Sequence, residues 1–207
     1  MNKFQRIQLV RALGLNTEES VLVSNDKDWE LHQGFLRSSS AFSVRTFKSE
    51  QLLGDEPHYP VISREELANK YFSLLNSGFK LIIAKCIDPA DAQMAGGMLY
   101  EGSALHVEVA LGPGTVRRVT REGRIDLTVK AIPGKPCSNH LIDEAVKEGW
   151  RGLRTLQAKI PELDLEGLLY EFSVYGGPVG WKHEKVIFWE LVGSPVQESV
   201  MEGTLPH

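Results

Sequence analysis

Apolar residues return along the first fifteen positions at Phe4, Ile7, Val10, Leu13 and Leu15, with Gly14 breaking the run. That spacing predicts a helix that stops at the glycine. SVLVS (20–24) predicts a short β-branched strand, and Asp26 is placed to cap a second helix carrying Trp29, Leu31, His32, Phe35 and Leu36. AFSVRTF (41–47) alternates as a strand. Residues 48–61, with Gly54, Pro57 and Pro60, read as a long loop. Ser63 and Glu66 then form a capping box for a helix ending near Gly78, with Leu67, Tyr71, Leu74 and Leu75 on one face.

From 79 to 130 the pattern turns to strands: a buried run at 79–87, a short one at 97–100 and a clean alternation in ALHVEVAL (104–111). Residues 115–120 and 124–130 read as a hairpin turning at Glu122-Gly123. Leu141, Ile142, Ala145, Val146, Trp150, Leu153 and Leu156 predict a long helix over 139–160 with a broad apolar stripe. Two last strands, 168–175 and 185–192, are separated by the loop GGPVGWKHE, and the final dozen residues have the composition of a tail. The class is therefore α/β in the α+β sense. Expected is a small N-terminal αβ lobe (1–48), a lobe of antiparallel sheet packed with helices (49–195) and a C-terminal tail (196–207).

Composition narrows the partners. The 207 residues are 42% hydrophobic and 24% charged, with a net charge of -4, so nucleic acid and anionic membrane are not expected partners. The densest basic group, Arg117, Arg118, Arg121 and Arg124, falls in the expected hairpin, where alternating charge marks a solvated face. The two cysteines, Cys86 and Cys137, are far apart and have no metal-ligand spacing. With no signal-peptide pattern and no apolar stretch long enough to span a bilayer, the expected compartment is the cytoplasm.

There is no phosphate-binding glycine loop, nucleophile elbow or HExxH. Glycine pairs at 112–114 and 176–177 read as turns, His106 as a half-exposed sheet residue, and His183 as a loop residue near the candidate site. Glu171 in LYEFSV and Glu190 in VIFWELV each stand among large apolar neighbours on predicted strands. A carboxylate there needs a partner or a cation, and two on adjacent strands can share one divalent ion. Strand alternation alone leaves open whether both instead face water. Arg45 in FSVRTF can offer a bidentate fork to phosphate or pair with a surface acid. Lys85 in IIAKCI is a third lone charge in an apolar run.

Taken together these segments resemble the nucleotide-binding domain of the phosphoenolpyruvate synthase and pyruvate phosphate dikinase group, a branch of the ATP-grasp superfamily. AFSVRTF is similar to that group's V-R-S-S segment, and LIIAKCIDPADAQMAGGMLY to its hinge strand and the A-G-V segment after it. LLYEFSV resembles the late strand with the metal-holding glutamate, and VIFWELVGSP the closing segment. The resemblance implies a two-lobed ATP-grasp-like fold, with ATP and Mg²⁺ as cofactors. It implies Arg45 on the phosphates as catalytic residue, Lys85, Cys86 and Ile87 at the nucleotide hinge, and Glu171 and Glu190 on the metal. It also implies ATP-dependent ligation or phosphoryl transfer to a small-molecule acceptor. Val192 at the closing arginine position, Ala84 at the hinge glutamine and Thr46-Phe47 at the serine pair depart from the pattern. So does the expected lack of the glycine- and lysine-rich nucleotide segment. These departures support the alternative of a non-catalytic sensor or subunit with a protein partner.

Overall fold

The computed structural model describes residues 1–48, 57–120, 122–176 and 185–203. The chain divides into two compact units, Glu18–Asp88 and a second made of Lys3–Thr17 with Pro89–His207. The division thus falls elsewhere than at 48 and 195. The first helix groups with the C-terminal residues because Leu9, Val10 and Leu13 bury their side chains in that unit's core.

Within that unit, α1 (Lys3–Ala12) precedes β5 (Ala92–Glu101), β6 (Ala104–Leu111), α5 (Thr115–Thr120), β7 (Leu127–Ala131), α6 (His140–Lys159), β8 (Leu169–Tyr175), β9 (Lys185–Val192) and α7 (Pro195–Glu202). The strands form an antiparallel sheet in the order β7-β6-β5-β8-β9. Helix α6 is capped by the Asn139 side chain and lays Ile142, Ala145, Leu153 and Leu156 on one sheet face. There it meets Met98, Leu105, Val107, Tyr170 and Phe172. Gly149 permits close approach, since a Cβ would sit 3.3 Å from the Met98 sulfur.

Three expectations are corrected here. Residues 115–120 are helix, not the first arm of a hairpin: Val116 and Val119 are three apart, so one helical face carries both, and β-branched composition alone suggested a strand. Strand β5 runs over ten residues rather than 97–100, because its small residues pair on both sides despite carrying little apolar signal. The expected tail contains α7, started by a Ser194–Gln197 capping box with Pro195 at the first turn.

The Glu18–Asp88 unit holds β1 (Ser20–Val23), α2 (Asp26–Leu31), α3 (Gln33–Arg37), β2 (Ala41–Phe47), β3 (His58–Ser63), α4 (Arg64–Asn76) and β4 (Lys80–Lys85). Its antiparallel sheet has the order β1-β4-β2-β3. Val23, Phe42, Val44, Ile62, Leu81 and Ile83 face Leu36, Leu67 and Leu74 of the helices, and Trp29 stacks on Tyr71 at 3.8 Å. The cap of α2 is Asn25, not Asp26; its side chain accepts from the Asp28 amide. Strand β3 occupies the end of the expected loop, with Pro60 tolerated because the strand lies at the sheet edge. The rest of that loop, 49–56, lies outside the described residues, as do His183 and most of the 176–184 loop.

Candidate functional site: a sheet cavity beside a glutamate pair

Alternation along β5, β6 and β8 sends one set of side chains to α6 and the other to the opposite face. That second face, flanked by Val116 and Val119 of α5 and by Ile125, lines an open cavity of about 480 Å³. Its walls include Leu99, Leu169 and Trp189, and its polar groups include His106, Glu108, Glu171 and Ser173. Trp189 donates its indole N–H to Ser173 Oγ at 2.9 Å. Among the described residues, neither lysine nor arginine lines it.

Sheet register puts Thr128, Glu108, Gly97, Glu171 and Glu190 in one cross-strand row. Gly97 has no side chain, so a notch opens between Glu108 and Glu171. Their backbones lie two strands apart, roughly 10 Å at the usual spacing. Glu171 is exposed toward the cavity, whereas Glu190 beside it is 4% exposed. A bulge in β9 after this pair shifts the register between Glu171 and Phe172.

Glu190 is held from α1. Lys3 Nζ lies 2.8 Å from its Oε1 and Arg6 Nη1 3.5 Å from its Oε2. Lys3 and Arg6 are three apart, so one helical face carries both. Arg6 also binds Glu198 of α7 at 2.9 Å. Burial pushes the Glu190 carboxyl up, but the charge and hydrogen bond of Lys3, the charge of Arg6 and a hydrogen bond with Glu171 outweigh it and leave it below the ordinary value. Glu198 follows the same pattern, burial opposed by Arg6 and the amino terminus.

Both carboxyls are depressed in the folded chain, so their stabilisation is complete above the ordinary glutamate value of 4.5 and is lost as pH falls through their lower folded values. The thermal midpoint is expected to hold from neutral pH down to about 5 and then fall. Glu198→Gln should flatten that acid limb; a limb of unchanged slope would remove Glu198 from the account.

The other sequence candidates lie in the Glu18–Asp88 unit and do not share one face. Arg45 pairs in register with Ile82, and its guanidinium is ion-paired to the buried Glu18. Lys85 pairs in register with Phe42 on the helix-side face, lies over the Phe35 ring and is ion-paired to Glu19. The Cys86 Sγ–H donates to the Pro60 carbonyl at 3.7 Å, and burial, then Asp88 and Glu18, pushes its thiol up. Ile87 follows it, half-buried. Sequence reasoning missed Lys3, Arg6, Glu108 and Glu198. The only signal for the first two was a pair of cations three apart at the start of a helix.

The two antiparallel sheets, each packed with helices, match solved structures of the ATP-grasp fold, and this is the fold of the chain. Similar solved structures include the D-alanine-D-alanine ligase from Coxiella burnetii, 14% identical with a TM-score of 0.53, over 92% of this chain and 47% of that one. The N5-carboxyaminoimidazole synthetase from Staphylococcus aureus is 11% identical with a TM-score of 0.54, over 94% and 44%. The macrocyclase MdnC bound with precursor peptide MdnA, from Microcystis aeruginosa MRC, is 12% identical with a TM-score of 0.51, over 99% and 60%. The chain thus spans only about half the length of these proteins. No family model and no curated protein matches the sequence.

Proposed function

We propose that the chain is an ATP-binding protein of ATP-grasp type, with the sheet cavity holding the acceptor of an ATP-dependent ligation. The observation that carries this reading is the cavity itself, on one sheet of an ATP-grasp fold, with Glu108 and Glu171 on either side of a glycine notch. Its apolar walls suit the carbon skeleton of an acceptor, and its carboxylates suit a protonated amine on it. Similar structures with the printed names ligase, synthetase and macrocyclase point to bond formation. Phosphoryl transfer remains within the proposal, as does the finer likeness to the phosphoenolpyruvate synthase group. The latter is supported by Glu171 and Glu190 standing opposite each other. Both cysteines are free thiols, which suits the cytoplasm as compartment.

Magnesium, the implied companion of ATP, takes oxygen ligands in near-octahedral geometry. Glu171 at the cavity wall fits that role. Glu190 does not, because both its oxygens already face a cation from α1. This mismatch, with Arg45 and Lys85 each paired to an acid, favours a second reading in which the chain binds nucleotide without turning it over.

Thermal shift with ATP tests the first step. A ligand that binds only the folded chain adds about 2.7 kcal/mol at a hundredfold excess over its dissociation constant. Wild type is expected to shift with ATP and Mg²⁺ together, and Glu171→Ala to lose most of the magnesium-dependent part of that shift. No shift at millimolar ATP would reject nucleotide binding. Binding without ADP release across carboxylates and amines would select the second reading.

A further inference from the structure

We infer that Lys3 and Arg6 supply the Glu171–Glu190 pair with a built-in counter-ion, occupying on Glu190 the position a divalent cation would take. The argument starts from register: Glu171 and Glu190 are direct cross-strand partners, an arrangement suited to sharing one ion. One member, however, is already neutralised. Lys3 Nζ sits 2.8 Å from Oε1 and Arg6 Nη1 3.5 Å from Oε2, with the Glu190 side chain 6% exposed.

These cations are not loose surface groups. Arg6 is held from its other side by Glu198 at 2.9 Å, and its own side chain is only 18% exposed. Helix α1 is seated by Leu9, Val10 and Leu13 in the core, and just beyond it the Asn16 carbonyl accepts from the Phe188 amide of β9 at 2.8 Å. A dication entering at Glu190 would meet an ammonium and a guanidinium at hydrogen-bond range and would have to expel at least one of them. Glu190 therefore clamps α1 to β9 rather than offering its oxygens to a divalent cation. The inference rests on the ATP-grasp reading for the meaning of the glutamate pair. Its test uses metal alone, so it can fail while nucleotide binding stands, and the reverse.

Mn²⁺, a hard cation that takes the same oxygen ligands, is titrated by electron paramagnetic resonance into the full chain without nucleotide. Wild type is expected to show no saturable site below the millimolar range. Lys3→Met, which keeps the helix and removes one cation, should tighten Mn²⁺ at least tenfold, and adding Glu190→Gln should abolish that gain. In the otherwise wild-type chain, Glu190→Gln should leave the weak Mn²⁺ response unchanged, an arm that does not depend on the Lys3→Met protein folding. Tight Mn²⁺ binding by wild type that Glu190→Gln removes would overturn the inference. So would an unchanged affinity in folded Lys3→Met.

Discussion

Replacing Arg6 with alanine is expected to lower the unfolding midpoint of its unit by about 6–12 °C, from a loss of about 3 kcal/mol. The size follows from what Arg6 touches. Its guanidinium reaches both Glu190, 4% exposed, and Glu198, 6% exposed, from one side chain. Removing one partner of a buried ion pair leaves a charge without compensation and costs about 3–5 kcal/mol. The lower end applies because Lys3 still faces Glu190 and the amino terminus still faces Glu198. Arg11, exposed on the same helix, is the control: Arg11→Ala should stay within about 0.5 kcal/mol. A double-mutant cycle of Arg6→Ala with Glu198→Gln, followed by denaturant unfolding, should show coupling, since the pair is in direct contact. Additive losses would mean that Arg6 acts by packing its stem rather than by charge.

The same cluster shows where the sequence was legible and where it was not. Helix α1 could be read from its apolar spacing, and Glu190 stood out as a carboxylate among large apolar residues. Their meeting could not be read, because Lys3 and Glu190 are 187 positions apart and nothing local records the contact. Glu171 and Glu190 could be placed on neighbouring strands, but whether both faced one side depended on the bulge between Glu171 and Phe172, which alternation does not reveal. Residues 115–120 misled for a different reason. TVRRVT is rich in β-branched residues, a strand signal, yet Thr115 and Val119 fall as well on a helical face, and contact with the sheet decided the outcome. Arg45 and Lys85 both read as lone cations in apolar runs, whereas each is ion-paired to an acid that precedes β1, Glu18 and Glu19. Only the β2–β4 register shows that they face opposite sides.

Gly96 and Gly97 are adjacent on β5, and alanine at each is expected to have very different effects. A Cβ on Gly96 would lie 2.0 Å from the Glu108 carbonyl oxygen and 2.8 Å from Val109 Cγ1. The nearest obstacle is backbone of the paired strand, which cannot rotate aside, so β5 and β6 would have to part where Gly96 faces Val109. Gly96→Ala should therefore cost about 3 kcal/mol, the upper end of the range for overpacking. A Cβ on Gly97 meets only the Leu169 Cδ1 methyl at 3.2 Å and the Tyr170 carbonyl at 3.6 Å. The leucine end can turn, so Gly97→Ala should cost less than about 1 kcal/mol, partly offset by the strand entropy that alanine saves. Its effect should fall instead on the cavity, where the new methyl group fills the notch between Glu108 and Glu171. Denaturant midpoints for the two variants, set beside their ATP-induced thermal shifts, separate these outcomes. A stable Gly96→Ala protein would show that the β5–β6 register is not as described. A Gly97→Ala protein that is stable and keeps every ligand response would take the notch out of the candidate site.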